Sequence, residues 1–225
     1  MPGERLLSGM SEQHQNIYMS PGRAGKASEA QTVLLAQKAV SGSSHAFNQL
    51  ADLYYNKIFR LVYYRIKYKM DAEDLTQEIF TQAFRNLNSL KEVEKFKSWL
   101  FSIAINKVKD FKRKKQFTSL FGILSDKNIK DEQKPDTEPD SKPDANPLYN
   151  VMRQNFWRQF EEVLNRLSYF EKEVFLLRFL DQLGINEISV ALDKNESTVK
   201  THLYRALKKL KYDDSVKRLL KESLP

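Results

Sequence analysis

The chain has 225 residues, 41% hydrophobic and 12% aromatic, enough for one large core or two small ones and too many for a wholly disordered protein. It has no cysteine, which excludes a disulfide framework and every thiolate metal site, and its three histidines (His14, His45 and His202) stand far apart with no ligand spacing. The 37 basic and 29 acidic residues leave a formal charge of +8, which favours a polyanionic partner without identifying one.

Residues 1–28 show no apolar periodicity and lack the apolar core of a signal peptide, so they are expected to be a disordered N-terminal extension. No run approaches the length of a membrane span, and the expectation is a soluble, cytoplasmic protein with no membrane insertion. Neither Gly nor Pro occurs between 43 and 121, and the pattern over 29–117 predicts a first, all-helical domain. Val33, Leu34 and Val40 mark a short opening helix ending near Ser41-Gly42. Phe47, Leu50, Ala51, Tyr54, Ile58, Leu61 and Val62 form the inward stripe of a longer one.

A third helix is expected from Asp71 as N-cap, with Glu73 and Asp74 in its first turn, where acidic side chains suit the helix dipole. Leu75, Ile79, Ala83, Phe84 and Leu87 face inward at helical spacing. That rotation puts Asp74, Gln77 and Glu78 together on the outer surface, at i, i+3 and i+4. Such a group is either a solvated face or a ridge that grips a partner. A polar turn, Asn88 to Lys95, leads into the last helix of the domain, from about Phe96 to Lys115. Its buried side is Trp99, Leu100, Ile103, Ala104, Val108 and Phe111.

This last helix turns from apolar to basic. Between Asn106 and Gln116 there are six cations (Lys107, Lys109, Lys112, Arg113, Lys114, Lys115) against Asp110 alone. A helix C-terminus attracts cations, but six in eleven residues exceeds what capping requires and fits phosphate contact. Phe101, Ile105 and Asn106 lie on the side away from Trp99 and Ile103. Phe101 therefore either packs in a core or, exposed beside Asn106, stacks on an unpaired base.

Pro135, Pro139, Pro143 and Pro147 recur every fourth residue in a Pro-Asp-x-x repeat, and residues 125–147 carry seven acidic and four basic side chains. Residues 118–147 are expected to be a flexible, acidic, Pro/Asp-rich linker. The second domain, 148–222, is again helical. Met152, Phe156, Phe160, Val163, Leu164 and Leu167 line its first helix, and Ser168-Tyr-Phe-Glu171 is a capping box opening the next. Ile188, Ala191 and Leu192 give a short helix, Asp193-Lys194 the turn, and Asn195 the N-cap of the following helix. That helix hides Val199, Leu203, Ala206, Leu207 and Leu210 and presents Ser197, Lys200, Thr201, Tyr204, Arg205 and Lys208. The pair is a helix-turn-helix whose second helix fits a DNA major groove. The fold class is all-α: two small helical domains joined by a flexible linker, the second containing the helix-turn-helix.

In this order the pieces resemble the extracytoplasmic-function subfamily of bacterial RNA polymerase sigma factors. The first domain resembles region two of that family from Ala46-Phe47 through Lys115, and the second resembles region four. The resemblance implies that Asp74, Gln77 and Glu78 dock on core RNA polymerase, whose clamp helices and flap are the expected partners. It further implies that the segment from Phe96 to Asn106 opens and reads the minus-ten promoter element. Phe101, Asn106, Lys109, Lys112 and Arg113 then hold the melted strand, and Leu203-Tyr-Arg-Ala206 lies in the helix that reads the minus-thirty-five duplex. Ser197, Lys200, Thr201, Tyr204, Arg205 and Lys208 are its contacts. An anti-sigma factor is a further implied partner, with Phe101 and Ile105 as candidate contacts. Three positions depart from the pattern: Gly184 replaces the usual Ser, Leu90 stands where an aromatic is common, and Lys91 to Lys95 replace a glycine-containing loop.

No catalytic residue, metal ligand or cofactor site is expected, since no carboxylate cluster, phosphate-cradling Gly-rich loop or His/Cys site occurs. An enzyme is therefore not expected. The rival is a stand-alone helix-turn-helix regulator that binds duplex DNA without polymerase.

Overall fold

The structure, a computed structural model, describes residues 25–122 and 158–212. Residues 1–24 of the expected extension, the acidic proline tract, Met152, Phe156 and residues 213–222 lie outside the described residues, whereas residues 25–28, expected to be disordered, open the first helix. Every regular element among the described residues is helical. In chain order they are α1 (Gly25–Val40), α2 (Ser44–Ile66), α3 (Lys69–Arg85), two short 3₁₀ turns (Leu87–Ser89 and Val93–Lys95) and α4 (Phe96–Gly122). The second domain contains α5, described over 158–164, then α6 (Tyr169–Phe179), α7 (Ile185–Leu192) and α8 (Glu196–Lys211).

Short-range chemistry sets most of these boundaries. Gly42 (φ 101°) makes the turn between α1 and α2, and the Ser43 hydroxyl accepts from the Ala46 amide at 3.2 Å to cap α2. The expected α2 stripe is wholly buried, from Phe47 to Val62. α1 turns differently from the expectation. Leu35, Ala36 and Ala39 face α2 and Leu34 is exposed, because Thr32 turns inward to meet the Tyr54 hydroxyl at 3.3 Å. Asp71 is not the N-cap of α3. The helix starts three residues earlier, after Tyr68, which gives no side-chain cap, and Asp71 sits in the first turn, where its charge still suits the dipole. Phe84 is more exposed than its spacing predicts, although its ring meets Phe47 at 5.1 Å.

α4 runs past Lys115 to Gly122, so the first residues assigned to the linker are helical. In the second domain both halves of the Ser168/Glu171 capping box form. At α7 only one half exists, because glycine has no side chain: the Gly184 amide donates to Glu187 Oε2 at 2.6 Å. Asp193 closes α7 in the left-handed conformation (φ 52°) and Asn195 Oδ1 accepts from the Thr198 amide at 2.8 Å to open α8. Leu207, expected inside, is exposed.

The two domains are not beads on a string. One apolar core continues from Leu50, Ile58 and Leu100 into Val174, Leu177, Leu183 and Ile188 of the second domain. A smaller cluster of Leu164, Leu167, Leu176 and Ala206 holds α5, α6 and α8 together. At the seam the Arg65 guanidinium, its side chain 2% exposed, meets Glu173 at 3.0 Å and Asp181 at 3.5 Å and donates to the Leu61 carbonyl at 2.9 Å. Burial works against the Arg65 charge, but the two carboxylates outweigh it and hold the pKa above its ordinary range. Burial pushes the Asp181 carboxyl up, with Arg65 pulling the other way. Tyr169, beside this seam, is pushed up to about 12 by burial and by the Glu173 charge. Lys97 meets Glu187 at 2.9 Å, and Lys67 meets Glu161 at 3.4 Å.

Candidate functional site

Three surfaces follow from this frame. The first is on α3. Leu75, Thr76, Ile79 and Phe80 are buried, which turns Asp74, Gln77 and Glu78 to solvent, all three exposed as their spacing predicts. They form one wall of an open groove of about 730 Å³. Thr81, Gln82, Arg85 and Asn86 continue it along α3, and Lys107 closes it from α4, its Nζ 3.0 Å from Glu78 Oε2. Arg85 and Asn86 were legible as the polar end of the same helix face. Lys107 was not, since its place in the groove depends on how α4 crosses α3.

The second surface is the basic end of α4. Asn106, Lys112 and Arg113 are exposed and Lys109 is half-buried. Acids satisfy part of the run: Arg113 meets Asp110 at 3.1 Å, and Lys115 meets Asp71 at 3.6 Å while lying 3.9 Å above the Tyr68 ring. Lys109, Lys112 and Lys114 make no salt bridge among the described residues. Although Lys112 is exposed, the protein around it partly desolvates its amine and lowers the pKa, and the charges of Glu173 and Arg65 act on it with opposite signs.

Phe101 does not stand with them. It is 0% exposed and Ile105 is 2% exposed, so of the two readings open for Phe101 the structure has the packed one. The reason is the second domain: α7 packs on α4, and Lys97, one turn before Phe101, is the residue that pairs with Glu187 of α7. The side of α4 turned away from its own domain is the side that the other domain covers. Leu90 is also buried, while Lys91, Glu92, Glu94 and Lys95 of the turn that follows it are exposed.

The third surface is α8. Val199 and Ala206 are its buried residues, and all six side chains predicted to face outward are exposed. Three near its start are tied locally. Ser197 donates to Asn195 Oδ1 at 2.9 Å, Thr201 donates to the Ser197 carbonyl at 2.8 Å, and Lys200 meets Glu196 at 3.1 Å. Tyr204, Arg205 and Lys208 have no side-chain hydrogen bond or ion pair among the described residues and are open to a ligand. Behind α8, Lys209 reaches Glu171 at 2.6 Å and ties the helix to the start of α6. No group of acids and histidines suited to a metal ion occurs among the described residues, and none of their helices is long and apolar enough to cross a membrane.

Comparison with known proteins gives the same division. Residues 50–118 match the family model for Sigma-70 region 2, and residues 157–210 match that for Sigma-70, region 4. The ECF RNA polymerase sigma factor BldN of Streptomyces coelicolor is 30% identical over 190 residues, covering 83% of this chain and 67% of its own. The ECF RNA polymerase sigma factor SigX of Bacillus subtilis is 30% identical over 169 residues, covering 73% and 81%. Among solved structures, CnrH in complex with the cytosolic domain of CnrY has a TM-score of 0.58 at 19% identity, over 86% of this chain and 99% of that one. RpoE in complex with the anti-sigma factor NepR from Bartonella quintana has a TM-score of 0.56 at 19% identity, over 78% and 96%. These two structures share the fold of this chain.

Proposed function

This chain belongs to the extracytoplasmic-function RNA polymerase sigma factors, and on that footing we propose which of its side chains perform each part of the work. As a sigma factor it directs promoter recognition and transcription initiation by binding core RNA polymerase and promoter DNA. The polymerase supplies the chemistry and the chain supplies the address, in the bacterial cytoplasm where the polymerase acts. Asp74, Gln77 and Glu78 dock on the core enzyme, with Arg85 and Asn86 extending the same groove. Their shared exposure on one face of α3, with the rest of that helix committed to the core, is the observation that carries this assignment.

Tyr204, Arg205 and Lys208, with Ser197, Lys200 and Thr201, bind the upstream duplex element through the major groove. Arg205 reads a base edge and Lys200 and Lys208 hold phosphates. Asn106, Lys109, Lys112 and Arg113 hold the melted downstream strand, and Phe101 joins them only when uncovered. One structural neighbour, RpoE, is bound to an anti-sigma factor, and a partner of that kind is proposed for this chain. Phe101 and Ile105, both buried, are not its contacts in this arrangement of the chain.

Gel-shift and run-off transcription on promoter DNA, with and without core polymerase, test this assignment. Tight binding that requires the core enzyme supports it. Specific, palindrome-dependent duplex binding by the chain alone overturns it in favour of a stand-alone regulator.

A further inference from the structure

Among the described residues the most exposed large hydrophobic side chain is Met70, 78% accessible in the first turn of α3. It carries the only thioether there, because Met1, Met10, Met19 and Met152 lie outside the described residues, and the full chain has no cysteine. Its position on the helix is specific. Asp74, Gln77, Glu78 and Thr81 follow it at i+4, i+7, i+8 and i+11, so they share one face with it. Ala72, Leu75, Thr76, Ile79 and Ala83 are buried on the opposite face. Packing among the described residues therefore does not explain an apolar side chain at this place.

Asp74, Gln77 and Glu78, the ridge assigned to polymerase, are all polar. Polar and charged groups steer and orient an encounter, but affinity comes chiefly from a few side chains that leave water completely. Methionine suits that part, since it is unbranched, adapts to an irregular pocket and is enriched at interfaces. Met70 stands about 6 Å along the helix axis from Asp74, within the footprint of a single interface. We propose that Met70 is the apolar anchor of the α3 docking face and a modification site on it, where oxidation to the sulfoxide weakens assembly with core polymerase. This rests on the assignment of α3 to the enzyme.

A two-electron oxidant of the peroxide class supplies the oxygen. The sulfur lone pair attacks one oxygen of hydrogen peroxide, the O–O bond breaks as the S–O bond forms, and both hydrogens leave with the other oxygen as water. Sulfur loses two electrons and the peroxide gains them. The product is a polar group on the same stem. On the free chain water solvates it; at an apolar contact it gives up that water without a partner. Exposure makes the free chain the reactive form and docking covers the sulfur, so oxidant and polymerase compete for one atom.

The test uses the full chain and intact core enzyme. The chain alone is treated with hydrogen peroxide, the peroxide is removed, and affinity for untreated core polymerase is read by surface plasmon resonance, each protein against its own untreated sample. Peptide mass spectrometry verifies the oxygen on Met70. The wild type is expected to lose affinity by about tenfold or more, as for removal of one buried apolar anchor. Methionine sulfoxide reductases of both epimer specificities are expected to restore it. Met70→Leu keeps Met1, Met10, Met19 and Met152 and is expected not to respond to peroxide. Met70→Gln, polar and of similar length, is expected to bind weakly without any treatment. Circular dichroism checks the fold of each protein.

Reversible loss in the wild type, with no response in Met70→Leu, supports the proposal. An equal loss in Met70→Leu assigns the effect to another methionine and overturns it. Unchanged affinity of a wild type whose Met70 is oxidised overturns it as well. The double variant Q77A/E78A separates this proposal from the reading beneath it. If that variant loses polymerase and the oxidised wild type does not, the docking face stands and the modification fails. If that variant keeps polymerase, the fault lies in the assignment of α3 itself.

Discussion

Lys107 on α4 reaches across to Glu78 on α3, Nζ to Oε2 at 3.0 Å, and so bridges the wall of the groove proposed to meet polymerase. Glu78 is exposed and Lys107 half-buried, and an exposed pair of this kind contributes only about 0–1 kcal/mol to stability. Its interest lies in the charge it neutralises. Lys107→Met is expected to leave thermal stability almost unchanged and to free Glu78, raising the association rate with core polymerase several-fold at low salt. Surface plasmon resonance at two salt concentrations checks this. Slower association identifies Lys107 as a polymerase contact itself.

On α8, Arg205 is exposed and has no intramolecular partner among the described residues. Arg205→Ala is expected to weaken binding to the cognate upstream duplex by about 1–3 kcal/mol, with much less effect on other sequences, if the guanidinium reads a base edge. Quantitative gel shifts with holoenzyme on matched and scrambled elements measure the difference. An equal loss on both, with a salt slope lowered by about one, makes Arg205 a phosphate contact instead.

The helix-turn-helix depends on Asn195, whose side chain both caps α8 and accepts from Ser197. Asn195→Ala is expected to cost about 0.5–2 kcal/mol of stability. The loosened first turn carries Ser197 and Lys200, so upstream-element binding falls as well. Thermal denaturation and gel shift on the same variant test both effects.

Glu171 gives a pH dependence with a definite sign. Burial raises its pKa, but the hydrogen bond from Lys209 and those with Ser168 outweigh it, and the net shift is downward. A lowered pKa in the folded state means stability that is present above the ordinary glutamate value of 4.5 and lost as pH falls through the folded value. Thermal melts of the wild type are therefore expected to lose stability in the window below 4.5. Glu171→Gln is expected to lose about 1–3 kcal/mol at neutral pH and to show a weaker acid dependence in that window. Equal acid sensitivity in the two proteins assigns the effect to other groups.

Local chemistry was legible in the sequence where it depends on near neighbours. The α2 stripe, the Ser168/Glu171 box, the Asn195 cap and the outward set on α8 follow from spacing within one helix, and the structure has each of them. The start of α3 differs because Asp71 is a better N-cap by residue type than Tyr68, yet the helix begins at Lys69 without a side-chain cap. The sequence leaves Phe101 open between a packed and an exposed reading for a longer-range reason. Its partner, α7, lies more than eighty residues on, beyond a linker whose composition gives no clue that the domains meet. Arg65 and Glu173 read as ordinary helix-surface charges until the fold sets them 3.0 Å apart in a buried seam.

Co-purification of core RNA polymerase with the full chain tests the proposed docking most directly, comparing wild type with the double variant Q77A/E78A. Both positions are solvent-exposed on a helix packed by its other side, so circular dichroism is expected to be unchanged. The wild type is expected to bring the polymerase subunits with it and the variant to lose them. Equal recovery of polymerase with both proteins contradicts the assignment of α3 as the surface that meets the enzyme.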